Sequence, residues 1–187
     1  MKIFIDSADI NQIRKYAKYG FIDGVTTNPA LLAKDDGYFL DVVKEIVQII
    51  DGPISGEVVS LDTEGMVKEA RSLAKIHENI VVKLPSIPTG FEALKIISSE
   101  GIKTNFTVVY TSNQALLAAK NGATYVSPFV GRLDAHAGSG TELITEISKI
   151  FKNYEFKTQI LAASMRNCIY VKQAALAGAH VATIPPE

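Results

Sequence analysis

Short apolar runs alternate along the chain with longer stretches of helical spacing. The short runs are Lys2–Asp6, Gly24–Thr26, Ile54–Val59, Ile80–Pro85, Lys103–Val108, Tyr125–Phe129, Gln159–Ala163 and His180–Ile184. Runs of this length, bounded by turn residues, predict strands. The stretches between them are Ile10–Tyr19, Tyr38–Ile50, Glu64–His77, Gly90–Glu100, Ser112–Asn121, Thr141–Asn153 and Ile169–Ala177. Their apolar residues crowd one face, as Ile46, Val47, Ile49 and Ile50 do, and this predicts helices. Gly20, Gly101, Gly122 and Gly178 each stand between a helix and a strand, where a left-handed C-terminal cap wants glycine. Thr111-Ser112-Asn113-Gln114 has capping-box spacing at a helix start.

Alternating strand and helix predicts a parallel sheet. An open doubly wound sheet and a closed barrel both satisfy it. Eight strands favour the α/β fold of a (β/α)8 barrel. The dinucleotide fingerprint G-x-G-x-x-G is missing after the first strand, and Gly138-Ser139-Gly140 is too short and too late to replace it. No linker or charge block divides residues 1–187, which are expected to form a single barrel domain. The length is small for such a barrel, which rarely falls below about 200 residues. Pro185-Pro186-Glu187 follow the eighth strand directly, so the eighth helix is expected to be absent from this chain. Apolar surface beside the first and eighth strands should then lack its usual cover.

Strand parity sorts the polar residues. In a parallel barrel alternate side chains point inward. Phe4 and Asp6 share one parity, as do Ser55 and Glu57, Val81 and Lys83, Asn105 and Thr107, and Tyr125, Ser127 and Phe129. On the seventh strand Ser164 falls in step with Ala162. The interior is thus expected to hold two carboxylates, an amine, an amide and hydroxyls near the C-terminal strand ends, where barrel active sites lie. Burying such groups is costly without partners, which favours a functional cluster.

Lys83 stands out within Ile80-Val81-Val82 and Leu84-Pro85. Desolvation there can leave a neutral amine that attacks a ketone to form a Schiff base. The plainer reading is a lysine on an edge strand or reaching to the barrel mouth. Asp6 could be a helix cap, and Glu57 could serve only as an ion-pair partner, Lys83 included. Beside one another, the three favour a nucleophile flanked by proton-transferring carboxylates. Arg132 and Arg166 each follow a strand at the presumed mouth, where two guanidinium groups suit a phosphate. A loop salt bridge with Asp134 is the alternative for Arg132. Arg14 and Arg71 fall in helix-like stretches and read as surface.

Composition narrows the function classes. Nineteen basic against twenty acidic residues give a net charge of −1, which argues against a nucleic-acid footprint. One Cys excludes a disulfide framework or a Cys-based zinc site, and three scattered His lack metal-ligand spacing. No run approaches the roughly 20 apolar residues of a membrane helix. The chain therefore reads as a cytoplasmic enzyme or binding protein, without nucleic-acid or membrane partners. Cys168 and the three His residues read as structural or incidental.

The segment Gly24-Val25-Thr26-Thr27-Asn28-Pro29 and the later Ile80-Val81-Val82-Lys83-Leu84-Pro85 resemble the transaldolase family. So do Gly101-Ile102-Lys103-Thr104-Asn105, the run from Tyr125 to Arg132, and Ala162-Ala163-Ser164-Met165-Arg166. The resemblance spans nearly the whole chain and points to the short-chain branch, which also contains the fructose-6-phosphate aldolases. It implies a class I aldolase barrel of the pentose phosphate pathway with its Schiff base on Lys83, Asp6 as the acid/base, and Glu57 with Thr107 positioning water. Thr26, Asn28, Asn105, Ser127, Phe129 and Ser164 match substrate-binding positions, and Arg132 and Arg166 match phosphate-binding ones. The implied substrates are sugar phosphates. No metal or organic cofactor is implied. The implied assembly is a homo-oligomer, a pentamer or decamer, packed in relatives by a C-terminal tail that this chain is expected to lack. The aldolase branch tends to carry Gln at position 57 and Tyr at 129. Glu57, Phe129 and Asn105 follow the transferase pattern instead.

Overall fold

A computed structural model describes residues 1–28 and 36–186. Pro29 of the first motif and Glu187 lie outside the described residues. Eight parallel strands close into a barrel in chain order. They are β1 Lys2–Asp6, β2 Gly24–Thr26, β3 Ile54–Glu57, β4 Ile80–Pro85, β5 Thr104–Val109, β6 Tyr125–Pro128, β7 Gln159–Ala162 and β8 Val181–Ile184. The described helices are α1 Ile10–Ala17, α2 Asp36–Ile49, α3 Thr63–Ala74, α4 Pro88–Ser99, α5 Ser112–Lys120, α6 Val130–Asp134, α7 Gly140–Asn153 and α8 Cys168–Ala177. This is the (β/α)8 architecture that the alternation predicts. No helix follows β8 among the described residues. None of the described helices is long and apolar enough to cross a membrane.

Local signals explain the element ends. Asp62 and Ser139 cap α3 and α7 by accepting the N–H groups of Gly65 and Glu142. Pro88 opens α4, and Thr111 with Gln114 forms the full capping box of α5. All four predicted capping glycines have positive φ, from 73° to 96°. Strand β3 stops at Glu57, short of the predicted Val59. The Glu69 carboxylate on α3 accepts the Val59 N–H at 2.6 Å and also binds Ser60, which pulls the chain off the sheet. Helix α6 went unread in the sequence because five residues are too few to show periodicity.

The main core lies between strands and helices. Met66, Val67, Ala70 and Leu73 of α3, Ala93, Leu94 and Ile97 of α4, and Leu143, Ile144, Ile147 and Phe151 of α7 are buried at helical spacing. They pack on outward strand residues such as Val82, Leu84, Phe106 and Val126. A second, smaller cluster fills the barrel itself: Phe4, Val81, Tyr125, Leu161, Ala163 and Val181, with Phe129 against it. The side chains of α1 and α8 are less well covered. Each buries a single side chain, Ile13 and Ala174. Leu176 and Ile169 of α8 are 81% and 59% exposed.

Candidate active site

The inward residues stack in layers, each drawn from alternate strands. The floor has Val81, Tyr125 and Val181 from even-numbered strands, with Gly24 in the fourth place. A Cβ at Gly24 would meet the Phe4 ring at 2.7 Å, so the missing side chain makes room for that ring. Phe4, Ser55, Asn105 and Leu161 come next, from the odd strands. Above them lie Thr26, Lys83, Ser127 and Thr183, a layer with no apolar side chain. Asp6, Glu57, Thr107 and Ala163 form the rim. Polarity therefore rises from the N-terminal floor to the C-terminal mouth.

Hydrogen bonds tie the layers together. Ser127 Oγ donates to Asn105 Oδ1 at 2.6 Å, and Asn105 Nδ2 donates to Ser55 Oγ at 3.3 Å. Thr26 Oγ1 donates to Asp6 Oδ1 at 2.8 Å and lies 2.6 Å from Thr183 Oγ1. Lys83 is 7% exposed. Its Nζ sits 2.9 Å from Glu57 Oε2 and donates to the Thr27 carbonyl at 3.3 Å. A buried cation without such partners would be strongly unfavourable. The Thr107 hydroxyl is fully buried and has no hydrogen-bond partner among the described residues. Burial also pushes the Tyr125 phenol above its ordinary pKa, which suits a ring packed edge-on against Phe4 on the floor.

These groups surround a cavity of roughly 180 Å³ at the C-terminal mouth. Asp6, Thr26, Asn28, Lys83, Asn105, Thr107, Ser127, Phe129, Arg132 and Ser164 all line it. Glu57 is not in the lining and meets the site through Lys83. Arg132 stacks over the Phe129 ring at 5.2 Å. Asp134 is occupied elsewhere: it accepts the Gly140 N–H at 2.6 Å and bonds to Tyr170. Neither Arg132 nor Arg166 forms an ion pair among the described residues. Arg166 lies outside the cavity lining, with its stem against the backbone of Gly131. The structure thus gathers eleven of the twelve candidate residues at one mouth and sets Arg166 beside it.

Two local distortions shape the mouth. The expected parity fails on β7: Ala162 packs outward, while Leu161 and Ala163 face the barrel. Ser164 still reaches the cavity because its backbone turns left-handed, with φ 60°, and reverses the alternation. Val108 has φ 59°, directly after Thr107, where the β5–β6 register shifts. A left-handed β-branched residue is a strained position, and bulges of this kind re-aim neighbouring side chains. Ser55, Thr183, Leu161 and Ala163 belong to the site but were not among the candidates. Ser55 was on the polar parity. The alternation of Val181 and Thr183 on β8 carried the same signal.

A closed α/β barrel with a lysine-centred polar cavity at its C-terminal mouth defines the class. Residues 3–187 match the model of the family described as Transaldolase/Fructose-6-phosphate aldolase. The chain is 57% identical over 185 residues to a "Probable transaldolase" of a Thermoanaerobacter species, covering 99% of this chain and 86% of that protein. It is 58% identical over 186 residues to a "Probable transaldolase" of Caldicellulosiruptor saccharolyticus, with the same coverage. The chain belongs to the transaldolase/fructose-6-phosphate aldolase family. A "Thiamine phosphate pyrophosphorylase from Pyrococcus furiosus" shares the fold with a TM-score of 0.71 and 15% identity, covering 98% of this chain and 85% of that one. That likeness concerns the barrel alone.

Proposed function

We propose that this chain is a transaldolase that carries a dihydroxyacetone unit between sugar phosphates on Lys83. The observation that carries the reading is the buried Lys83, paired at 2.9 Å with Glu57 and facing a cavity that Asp6 also lines. Glu57 takes a proton from the Lys83 ammonium, and the freed amine attacks the C2 carbonyl of a ketose phosphate. Water leaves as the protonated imine forms. Asp6 accepts the C4 hydroxyl proton, the C3–C4 bond breaks, and its electron pair passes into the imine as an enamine. The aldose phosphate departs. An incoming aldehyde takes the enamine carbon, Asp6 returns the proton, and water hydrolyses the new imine. Thr107, whose buried hydroxyl lacks a partner among the described residues, suits a water held between it and Glu57. Arg132 and Arg166 hold the phosphate ends, and Thr26, Asn28, Asn105, Ser127 and Ser164 hold sugar hydroxyls.

Phe129 supports transfer over release. It offers no hydroxyl to help deliver a proton to the enamine carbon, the step that must precede hydrolysis and release, so the three-carbon unit waits for its acceptor. Borohydride reduction with fructose 6-phosphate, followed by peptide mass analysis, tests the nucleophile. A reduced adduct on Lys83 is expected, and its absence sinks the reading. A coupled assay separates transferase from aldolase. Product should require erythrose 4-phosphate, with little free dihydroxyacetone when fructose 6-phosphate is given alone.

A further inference from the structure

We propose that Thr183, on β8, is a positioning residue for Asp6 and acts through the hydroxyl of Thr26. This rests on the reading of Asp6 as the acid/base. The argument is a count of protons. Thr26 Oγ1 carries one hydrogen, and it donates that hydrogen to Asp6 Oδ1 at 2.8 Å. Thr183 Oγ1 lies 2.6 Å from Thr26 Oγ1. Thr26 has no second proton to give, so Thr183 must be the donor in that contact. The chain therefore runs one way, from the Thr183 hydroxyl to the Thr26 hydroxyl to the Asp6 carboxylate.

Direction has a consequence. A hydroxyl that accepts a hydrogen bond becomes a better donor, so Thr183 strengthens the bond that Thr26 gives to Asp6. Both threonines are nearly fully buried, at 3% and 2% exposure, where such polarisation is not diluted by water. Both are β-branched and stiff at χ1, which fixes the hydroxyls. The barrel makes the contact possible. Phe4 of β1 pairs with Gly24 on one side and Thr183 on the other, so β2 and β8 flank the same strand. Their side chains meet above the Phe4 ring, directly below Asp6. Without Thr183, the Thr26 hydroxyl is a weaker donor, and Asp6 is held less firmly in its orientation toward the C4 hydroxyl.

Thr183→Val keeps the shape and deletes the donor. We expect kcat for transfer to fall about tenfold, with KM within about twofold, the scale of one hydrogen bond acting on a transition state. Borohydride trapping on Lys83 should be unchanged, because imine formation does not use this chain. Thr183→Ser should restore kcat to within about twofold. In a Thr26→Val background, Thr183→Val should have no further effect. Should Thr183→Val not fold, Thr183→Ala makes the same comparison. Unchanged kcat in the Val or Ala variant overturns the proposal. So does a Ser variant as slow as the Val one, or an undiminished loss in the Thr26→Val background. Loss of trapping in the unsubstituted enzyme is a different failure and sinks the Schiff-base reading itself.

Discussion

The barrel has a well-covered arc and a thinly covered one. From β3 to β6 each strand lies under helices that bury several large side chains, such as Met66, Leu73, Leu94 and Ile97. From β7 through β8 to β2, helices α8 and α1 bury one side chain each. Leu176, Ile169, Tyr19 and Phe21 are exposed on this second arc and Val59, Leu61, Ile96 and Leu117 on the first, so the difference lies in what the helices bury. The outward strand residues themselves are covered, with Ile5 of β1 3% and Ala182 of β8 0% exposed. The two arcs also divide the site. Lys83, Glu57, Asn105, Thr107 and Ser127 stand on the covered arc. Asp6, Thr26, Thr183 and Ser164 stand on the other. In the proposed mechanism, covalent attachment belongs to one side and proton transfer at the breaking bond to the other. Stability and chemistry can then be tested arc by arc.

The largest effect should come from the covered arc. Lys83→Met should abolish the borohydride adduct and cut turnover about 10⁴-fold or more, the scale lost with a covalent nucleophile. An adduct that survives in this variant would break the division. Next comes Asp6→Asn on the thin arc, which should lower turnover by about 10² to 10⁴ while leaving the adduct trappable. Loss of trapping in Asp6→Asn would show that the arcs do not separate the two steps. Third is packing. Leu94→Ala should lower unfolding free energy in urea by about 2–5 kcal/mol, whereas Leu176→Ala should change it by less than about 0.5 kcal/mol. A large loss at Leu176 would mean that the thin arc is covered in solution.

The smallest effect concerns His180, at the start of β8. Desolvation, and then the nearby N-terminal ammonium, lower its pKa. One edge of the ring is exposed, and the other accepts the Ile160 N–H at Nδ1. The folded state thus binds a proton less readily than the unfolded chain. Stability is full above the unfolded value, about 6.5, and declines as pH falls through it toward the lowered folded value. Thermal melts from pH 7.5 down to 5.5 should show a slope that His180→Gln removes. A slope unaltered in that variant would assign the acid sensitivity to other groups.

Much of the barrel was legible because its strands are short, apolar and punctuated by glycine. Parity then placed Asp6, Glu57, Lys83, Asn105, Thr107 and Ser127 correctly, since β1 and β3 to β6 keep regular alternation up to these residues. It failed at Ser164, where a left-handed residue reverses the direction of the side chain and no composition signal marks the turn. Thr183 was missed for another reason. Its parity with Val181 faced it inward, but a threonine in an apolar strand reads as β-branched filler until its hydroxyl is seen 2.6 Å from Thr26. The end of β3 was also hidden, because Glu69 draws Val59 and Ser60 away through a contact ten residues distant.

Layering by alternate strands has a consequence for inheritance. Residues that touch in such a barrel are rarely near in sequence, and Thr26 and Thr183 are 157 positions apart. A change at either one alters what the other can do, so the two positions should be replaced as a pair across descendants. Gly24 is held more tightly still, since a Cβ there would meet the Pro53 carbonyl oxygen at 2.6 Å as well as the Phe4 ring at 2.7 Å, and trimming Phe4 alone would not admit one. The order in which such substitutions arrive then matters.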